Sequence, residues 1–342
     1  MKSQQKNRFL FVDAGKLIGI SGVIVLHSCL GSYYLWSKSD SFNYFFCLLF
    51  YTASRFCVPL FVMLSAVTII WRKYPTDITP SDSLTRIIKM LLPVCVWSIF
   101  YMSLSSSLSL EKVVSIIYAP QGLVHLWFIY MLWGLYILSP IVSYIVNRCN
   151  RGGLLYFIAI WFVFSSINTY SQILFGADVG MYFGIFSNYQ SGFLGYYIIG
   201  VYLMMRERPL ERGISISLFA IGFILSYALV YFDNVGQDGF NDRFLNFLAP
   251  NVLLMSVGVF EFIRSINWSQ NFKFITLCSP LVIGVYYIHE SILKILREFC
   301  GLVGYGYDSW YFIPIISFAV FTISVIISMV LRLAQGKRTI FF

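Results

Sequence analysis

The chain has 342 residues, of which 58% are hydrophobic, 19% aromatic and only 11% charged, and its mean hydropathy is +0.76. About a quarter of the residues of a soluble domain are charged, so this composition excludes a soluble protein and indicates a polytopic membrane protein. The formal net charge of +9 would suggest nucleic acid as the partner of a soluble protein. In a membrane protein the distribution of that charge between loops matters more, and no nucleic-acid partner is predicted.

Ten apolar runs, separated by charged or turn-rich breaks, divide the chain. They lie near residues 10–30, 42–70, 90–109, 123–146, 153–172, 190–205, 213–232, 244–263, 276–297 and 309–331. Runs of this length predict transmembrane helices, although the sixth is short. No small-residue cleavage site follows the first run, so we expect it to be a retained span. The predicted fold is all-α, with about ten transmembrane helices in one integral membrane domain that covers residues 1–342.

The basic residues predict the orientation of these spans. With Met1 placed in the cytoplasm, most lysines and arginines fall in loops on the cytoplasmic side. The loops on the other side are acidic, with Asp40, Glu111, Asp178, Asp233, Asp238, Asp242, Glu298 and Asp308. By the positive-inside rule, both termini are predicted to lie inside.

The first run carries Asp13, Lys16 and His27, and ionisable groups within a span cost several kcal/mol unless they serve a purpose. Lys16 and His27 are 11 residues apart, which on an α-helix puts them on nearly the same face and roughly 16 Å apart in depth. His27 then lies in the outer half, where an imidazole can act as a general base towards a hydroxyl group. An interfacial hydrogen bond is the alternative for His27. Snorkelling, with Asp13 as an ion-pair partner, is the alternative for Lys16.

In the second run, Arg55 lies about halfway across the span and is followed by Pro59 and Ser65. A guanidinium at this depth needs an anionic or carbonyl partner, or a wet cavity, and it suits phosphate or carboxylate. Pairing with a buried carboxylate, or charge balance in a transport pathway, is the alternative.

Four cations surround the cytoplasmic turn that leads to the third run: Arg72, Lys73, Arg86 and Lys89. We expect Arg86 and Lys89 on the first turn of the third helix, whose N-terminus also favours anions. Ordinary cytoplasmic charge accounts for Arg72 and Lys73, but the whole group would also suit a polyanionic ligand.

All three histidines of the chain fall in the outer half. His125 and Trp127 open the fourth run, whereas Tyr286, His289 and Glu290 belong to the outer half of the ninth. For His125 and Trp127 the default interpretation is an interfacial aromatic anchor. For His289 and Glu290 it is a packing hydrogen bond, and a second acid/base pair is the alternative. The seven cysteines show neither CxxC nor metal spacing, so we predict no metal site and no full disulfide framework.

These motifs resemble those of the bacterial acyltransferase-3 type membrane O-acyltransferases. That family opens with D-x-x-[R/K]-x10-H, which appears here as Asp13, Lys16 and His27, with Lys where Arg is commoner. Residues 54–65, SRFCVPLFVMLS, resemble its R-x-x-V-P-L-F-F-x-x-S-G, with Ala66 in place of the usual Gly. Residues 86–89, 125–128 and 284–289 resemble its R-x-x-[R/K], H-L-W-F and Y-x-x-H elements.

The resemblance implies an enzyme of the bacterial inner membrane that carries acetyl from cytoplasmic acetyl-CoA, with no permanently bound cofactor, to a hydroxyl of a lipid-linked surface glycan. O-antigen and enterobacterial common antigen are glycans of this kind. The resemblance assigns catalysis to His27, Lys16 and Asp13. It assigns donor binding to Arg55, Arg86, Lys89, Arg72, Lys73 and Ser65, and the acceptor side to His125, Trp127, Tyr286, His289 and Glu290.

Several alternatives stay open at this point. A transporter or flippase of an anionic or glycan-linked lipid would use ionisable groups at mid-membrane equally well. A receptor or scaffold surrounded by membrane lipids would leave Arg55 and the histidines without a task. Succinyl in place of acetyl, and a homo-oligomer in place of a monomer, are further alternatives. No SGNH-type domain is expected, since only Leu333 to Phe342 follow the tenth run.

Overall fold

The computed structural model describes residues 9–30, 42–104, 109–116, 124–179, 189–237, 239–268, 272–302, 310–336 and 340–341. No strand occurs among these residues, and ten long helical segments account for most of them. The segments are α1 (Leu10–Leu30), α2 (Phe42–Trp71), α3 (Pro80–Leu104), α4 (Trp127–Arg148), α5 (Arg151–Phe175), α6 (Tyr189–Met204), α7 (Arg212–Asn234), α8 (Arg243–Ser265), α9 (Lys273–Gly301) and α10 (Phe312–Gln335). Within the described chain, nine are long and apolar enough to cross a membrane, and α6 is a shorter apolar helix. The predicted all-α polytopic membrane fold is confirmed.

The third segment begins at Pro80, well before residue 90, where the apolar run was predicted to start. Thr79 caps it: the Thr79 amide donates to Asp82 Oδ2 (2.9 Å), and the Asp82 amide donates to Thr79 Oγ1 (3.2 Å). A proline at the first helical position completes this capping box. Arg86 and Lys89 therefore lie on the second and third turns of α3, so their predicted place on its first turn was wrong.

Small residues let α2 approach two neighbours closely. A Cβ atom added at Gly15 of α1 would lie 2.8 Å from Leu64, and one at Gly19 would lie 2.9 Å from the Phe61 ring. On the other side of α2, a Cβ at Gly200 of α6 would lie 2.6 Å from the backbone oxygen of Met63. Helices within a bilayer gain stability from such close packing, because lipid provides no hydrophobic drive for their association.

The helix of α2 is interrupted between Ala53 and Cys57, and Arg55 lies in the interruption. Pro59 has no N–H to donate to the carbonyl four residues earlier, which is that of Arg55. The break therefore has a local cause in the sequence, and it places a charged side chain at an irregular point within the span.

Most of the described lysines and arginines lie at one end of the helices, and the carboxylates Asp233, Asp242 and Glu298 lie at the other. We call the end of the bundle at which α1 begins the basic face, and the end at which α1 finishes the acidic face. At the basic face, Asp77 accepts hydrogen bonds from Asn147 (2.6 Å) and Arg148 (2.9 Å). These partners, Asn147 first, lower the pKa of Asp77. Which face meets the cytoplasm stays a prediction from loop charge.

Candidate active site

Three histidines from three different elements meet in the half of the bundle near the acidic face. The rings of His27 and His289 lie 5.2 Å apart, those of His125 and His289 also 5.2 Å, and those of His27 and His125 6.1 Å. His125 and His289 are buried, with 6% and 0% of their surfaces exposed. The sequence predicted similar depths for these residues, and the structure brings their rings into contact.

Glu290 orients the ring of His27. Its Oε2 lies 3.0 Å from His27 Nδ1, and because a carboxylate only accepts hydrogen bonds, Nδ1 is the donor. The hydrogen on Nδ1 leaves Nε2 with its lone pair, so His27 is held in the tautomer that a general base requires. The sequence analysis placed Glu290 on the acceptor side and paired it with His289. Its bond to His27 was missed.

Four further hydrogen bonds to carbonyl groups hold the backbone of this site. Arg297 donates from Nη2 to the carbonyls of His27 (2.7 Å) and Ser28 (3.1 Å), which anchors the end of α1 to α9. The Tyr286 hydroxyl donates to the carbonyl of His125. His289 Nδ1 lies 2.6 Å from the carbonyl of Tyr286 and donates to it. The sequence analysis gave Arg297 no role, because nothing in the local pattern indicates its partners.

A small cavity of about 60 Å³ adjoins the histidines and is lined in part by His27, His125 and Trp127. The Trp127 ring stacks on Phe247, with centroids 6.4 Å apart and an interplanar angle of 29°. Neither nitrogen of His125, nor Nε2 of His289, has a hydrogen-bond partner among the described residues. The imidazoles of His27 and His125 therefore border a mostly apolar space beside the candidate base.

A larger cavity of about 390 Å³ lies towards the basic face. Its wall includes Lys16, Ser65 and Lys89, and Ser279 at its edge donates to Asp13 Oδ1 (2.6 Å). The structure thus brings two cations, one from α1 and one from α3, to the same cavity. These two were predicted as a catalytic residue and a donor-binding residue.

Three aromatic side chains, Phe61, Phe128 and Tyr286, belong to the walls of both cavities. The ring of Phe128 lies 5.9 Å from that of Phe61 and 5.8 Å from that of Tyr286. They form an aromatic layer that lies between the cationic cavity and the small cavity beside the histidines.

The other predicted cations lie outside this cavity wall. Lys73 pairs with Asp82 at 2.7 Å, and Arg72 is exposed at the basic face. Arg86 is close enough to Tyr136, a residue of the wall, for an electrostatic interaction. Lys89 is therefore the member of this group that faces the chamber directly.

Arg55 lies apart from the donor-side residues. Its Nη2 donates to Asp242 Oδ2 at 2.5 Å and to the Tyr51 hydroxyl, and the guanidinium lies 4.2 Å from the centre of the Tyr51 ring. Asp242 precedes α8 at the acidic face, so the anionic partner of Arg55 belongs to the protein. The grouping of Arg55 with Lys89 in one donor site does not match this placement.

The candidate metal ligands of the described chain are His27, His289 and Glu290, whose ligand atoms lie within 4.8 Å of one another. The contact between His27 Nδ1 and Glu290 Oε2 has the length of a hydrogen bond. We therefore assign it as a hydrogen-bonded pair, and the chemistry below needs only these side chains.

Comparison with known families decides the class of protein. The family model of the acyltransferase-3 type, described as an acyltransferase domain, matches residues 9–329, which is nearly the whole chain. The chain belongs to the acyltransferase-3 family. Comparisons with curated proteins and with solved structures gave no significant match.

Membership of the acyltransferase-3 family makes the chain an acyltransferase and confirms the resemblance drawn from its motifs. An enzyme of this class needs a base for the acceptor and a chamber for the acyl donor. The pair of His27 and Glu290, and the cationic cavity behind the aromatic layer, are the parts of the structure suited to these two tasks. The family match therefore favours an enzyme over the transporter alternative.

Proposed function

We propose that the protein is an acetyl-CoA-dependent O-acetyltransferase that acetylates a hydroxyl of a lipid-linked surface glycan at the bacterial inner membrane. The observation that carries the proposal is the hydrogen bond between His27 and Glu290, at 3.0 Å, next to a small cavity that shares its wall with a cation-lined chamber. An acyl group can therefore pass from a donor held at the cations of the chamber to an acceptor held beside His27.

The chamber suits a coenzyme A thioester by charge and by shape. Lys16 and Lys89 attract the phosphate groups, while the apolar residues of the wall, such as Met90 and Leu132, suit the less polar arm that carries the thioester. Ser65 adds a hydroxyl within the same wall. The lysines lie towards the basic face, which the positive-inside rule assigns to the cytoplasm, where acyl-CoA is made.

The chemistry needs one base and one nucleophile. His27 Nε2 takes the proton of the acceptor hydroxyl, and the oxygen then attacks the thioester carbonyl carbon. The C–S bond breaks as the new C–O ester bond is completed, and the imidazolium returns its proton to the departing thiolate. Glu290 stabilises the imidazolium through its bond to Nδ1, and Trp127 closes one side of the space in which the hydroxyl would sit.

The test begins with donor binding by the purified protein in detergent. A ligand that binds only the folded state at 100 times its Kd raises stability by about 2.7 kcal/mol, so acetyl-CoA should raise the melting temperature. Replacing Lys16 and Lys89, the two cations of the chamber wall, together by Ala should weaken the binding of acetyl-CoA about tenfold to hundredfold, because each cation-phosphate contact contributes about 1 kcal/mol or more.

The matched control removes Lys112 and Lys294, two exposed cations remote from the chamber wall, and should leave the affinity unchanged. If both double variants bound acetyl-CoA equally weakly, the loss of affinity would come from the net charge of the protein and not from contacts in the chamber.

The acceptor is tested by mass spectrometry of surface glycans from cells with and without the gene. Loss of an acetyl mass is expected, and identical glycans would contradict the proposal.

A further inference from the structure

A separate cavity of about 280 Å³ opens near the acidic face, and most of its lining is polar. Its wall is formed by Arg55, Thr169, Gln172, Ile173, Asp242, Arg243, Leu245 and Asn246. These residues come from α2, α5 and the start of α8, so three spans contribute to it. It shares no wall residue with the donor chamber.

Both arginines of this cavity are neutralised by carboxylates of the protein. Arg55, with 8% of its side chain exposed, pairs with Asp242, whose side chain is 42% exposed. Arg243 donates from Nε to Asp233 Oδ2 at 3.0 Å and pairs with it again through Nη2. The cavity therefore carries little net charge, and the carboxylate of Asp242 faces it.

The state of Asp242 follows from its neighbours. Burial raises its pKa, but the charge of Arg55 and the hydrogen bonds from Tyr51 and Arg55 outweigh that effect and lower it. The group is thus an ionised acceptor. An anionic ligand would be repelled by it, whereas a neutral molecule with hydroxyl groups can donate to it.

An aromatic side chain connects this cavity with the histidines. The Phe247 ring lies 5.3 Å from the Arg55 guanidinium, and the same residue lines the small cavity beside His27. The Trp127 ring stacks on this Phe247 ring. A ligand held at Asp242 could extend past Phe247 towards the imidazole of His27.

The side chains of this cavity fit a carbohydrate. Carboxylate, amide and guanidinium groups, here Asp242, Gln172 and Arg55, present pairs of donors or acceptors that match neighbouring hydroxyls. Phe247 and Trp127, which line the small cavity beside His27, provide apolar surface with which the C–H face of a sugar that extends from Asp242 can pack. A polyphosphate such as coenzyme A fits poorly, because both arginines are already paired with carboxylates.

We infer that this cavity is the sugar-binding subsite for the acceptor, so that Arg55 serves the acceptor rather than the acyl donor. The inference rests on the proposed function, since it names the side from which the acceptor reaches His27. It requires that a neutral sugar binds here without any donor present.

The test measures sugar binding directly, by saturation-transfer NMR of the purified protein in detergent. The probes are the methyl glycosides of glucose, rhamnose and N-acetylglucosamine, each with and without added inorganic phosphate. We expect saturation of at least one glycoside, unchanged by phosphate. Gln172→Trp should weaken it about tenfold, because the indole fills the cavity from an exposed position on α5.

The control is Leu174→Trp, which adds the same indole two residues away at an exposed position outside the cavity wall. It should bind the glycoside as the parent protein does. Displacement of the glycoside by phosphate, equal effects of the two variants, or no saturation of any glycoside would overturn the inference.

Stabilisation by acetyl-CoA is measured on the same samples. If it persists without sugar binding, only this inference fails, and if sugar binds but no acetyl is transferred, only the proposed function fails.

Discussion

At the scale of single residues, the bond between His27 and Glu290 defines the candidate chemistry. A hydrogen bond from one nitrogen of a neutral imidazole fixes its tautomer and orients the other nitrogen as a base. The carboxylate of Glu290 accepts that hydrogen bond. The resulting arrangement has a base and an orienting acid on two helices, α1 and α9. Arg297 joins the same two helices by bonds to backbone carbonyls.

Replacing His27 by Ala should lower acetyl transfer about 10²-fold to 10⁴-fold, the usual cost of removing a general base. Glu290→Gln should lower it about tenfold to hundredfold, because the neutral amide stabilises the imidazolium less than a carboxylate does. Transfer of labelled acetyl to the glycan is the measurement, with binding of acetyl-CoA expected to be unchanged in both variants.

The control for this pair is Glu298→Gln, an exposed carboxylate further along the same helix. It should retain full activity. Removal of a general base usually leaves about a hundredth of the rate or less. If His27→Ala kept more than about a tenth of the parent rate, His27 would have a packing role only.

At the scale of elements, α2 organises the bundle because it packs closely on both α1 and α6. Its interruption around Arg55 presents that side chain to the acidic face. Its C-terminal half, with Phe61 and Ser65, forms part of the proposed donor chamber. One helix thereby contributes to both sides of the proposed transfer path, and its position depends on glycines in its neighbours.

Gly200→Ala should destabilise the protein by about 1–3 kcal/mol, since the added methyl would overlap the backbone at Met63, which cannot move aside as a side chain can. Gly134→Ala is the matched change, because a Cβ at Gly134 meets nothing within 4 Å. It should be neutral or stabilise the helix by up to about 1 kcal/mol. Thermal unfolding in detergent gives both values, and an undiminished melting temperature for Gly200→Ala would refute the close packing of α6 on α2.

At the scale of the whole molecule, the proposed function requires the basic face to meet the cytoplasm. Cys149 is an exposed cysteine between α4 and α5 at that face. In a variant that keeps it as the sole cysteine, a membrane-impermeant maleimide should label it only after the cells are opened. A second variant, with Gln237→Cys as its sole cysteine at the acidic face, should be labelled in intact cells. The reverse pattern would invert the orientation and with it the placement of the donor.

Much of the architecture could be predicted from the sequence, because its causes are local. A bilayer sets the length of an apolar run, and loop charge predicts orientation. The rise of a helix sets the depth of Lys16 relative to His27. The start of α3 was misplaced, since a capping box of polar residues extends the helix beyond its apolar run. The family motifs also pointed to the class of enzyme that the family match shows.

Contacts between distant parts of the chain were decided only by the tertiary structure. His27 meets Glu290 across 263 residues, and Arg55 meets Asp242 across 187. Depth in the membrane restricts such pairs but does not select them, because each of the ten helices can face several neighbours at any depth. The selection comes from side-chain packing around small residues such as Gly19 and Gly200, which decides which helix faces which. For this reason the residues of the donor chamber, the base and the polar cavity could be named from the sequence in part, while their division among three separate sites could not.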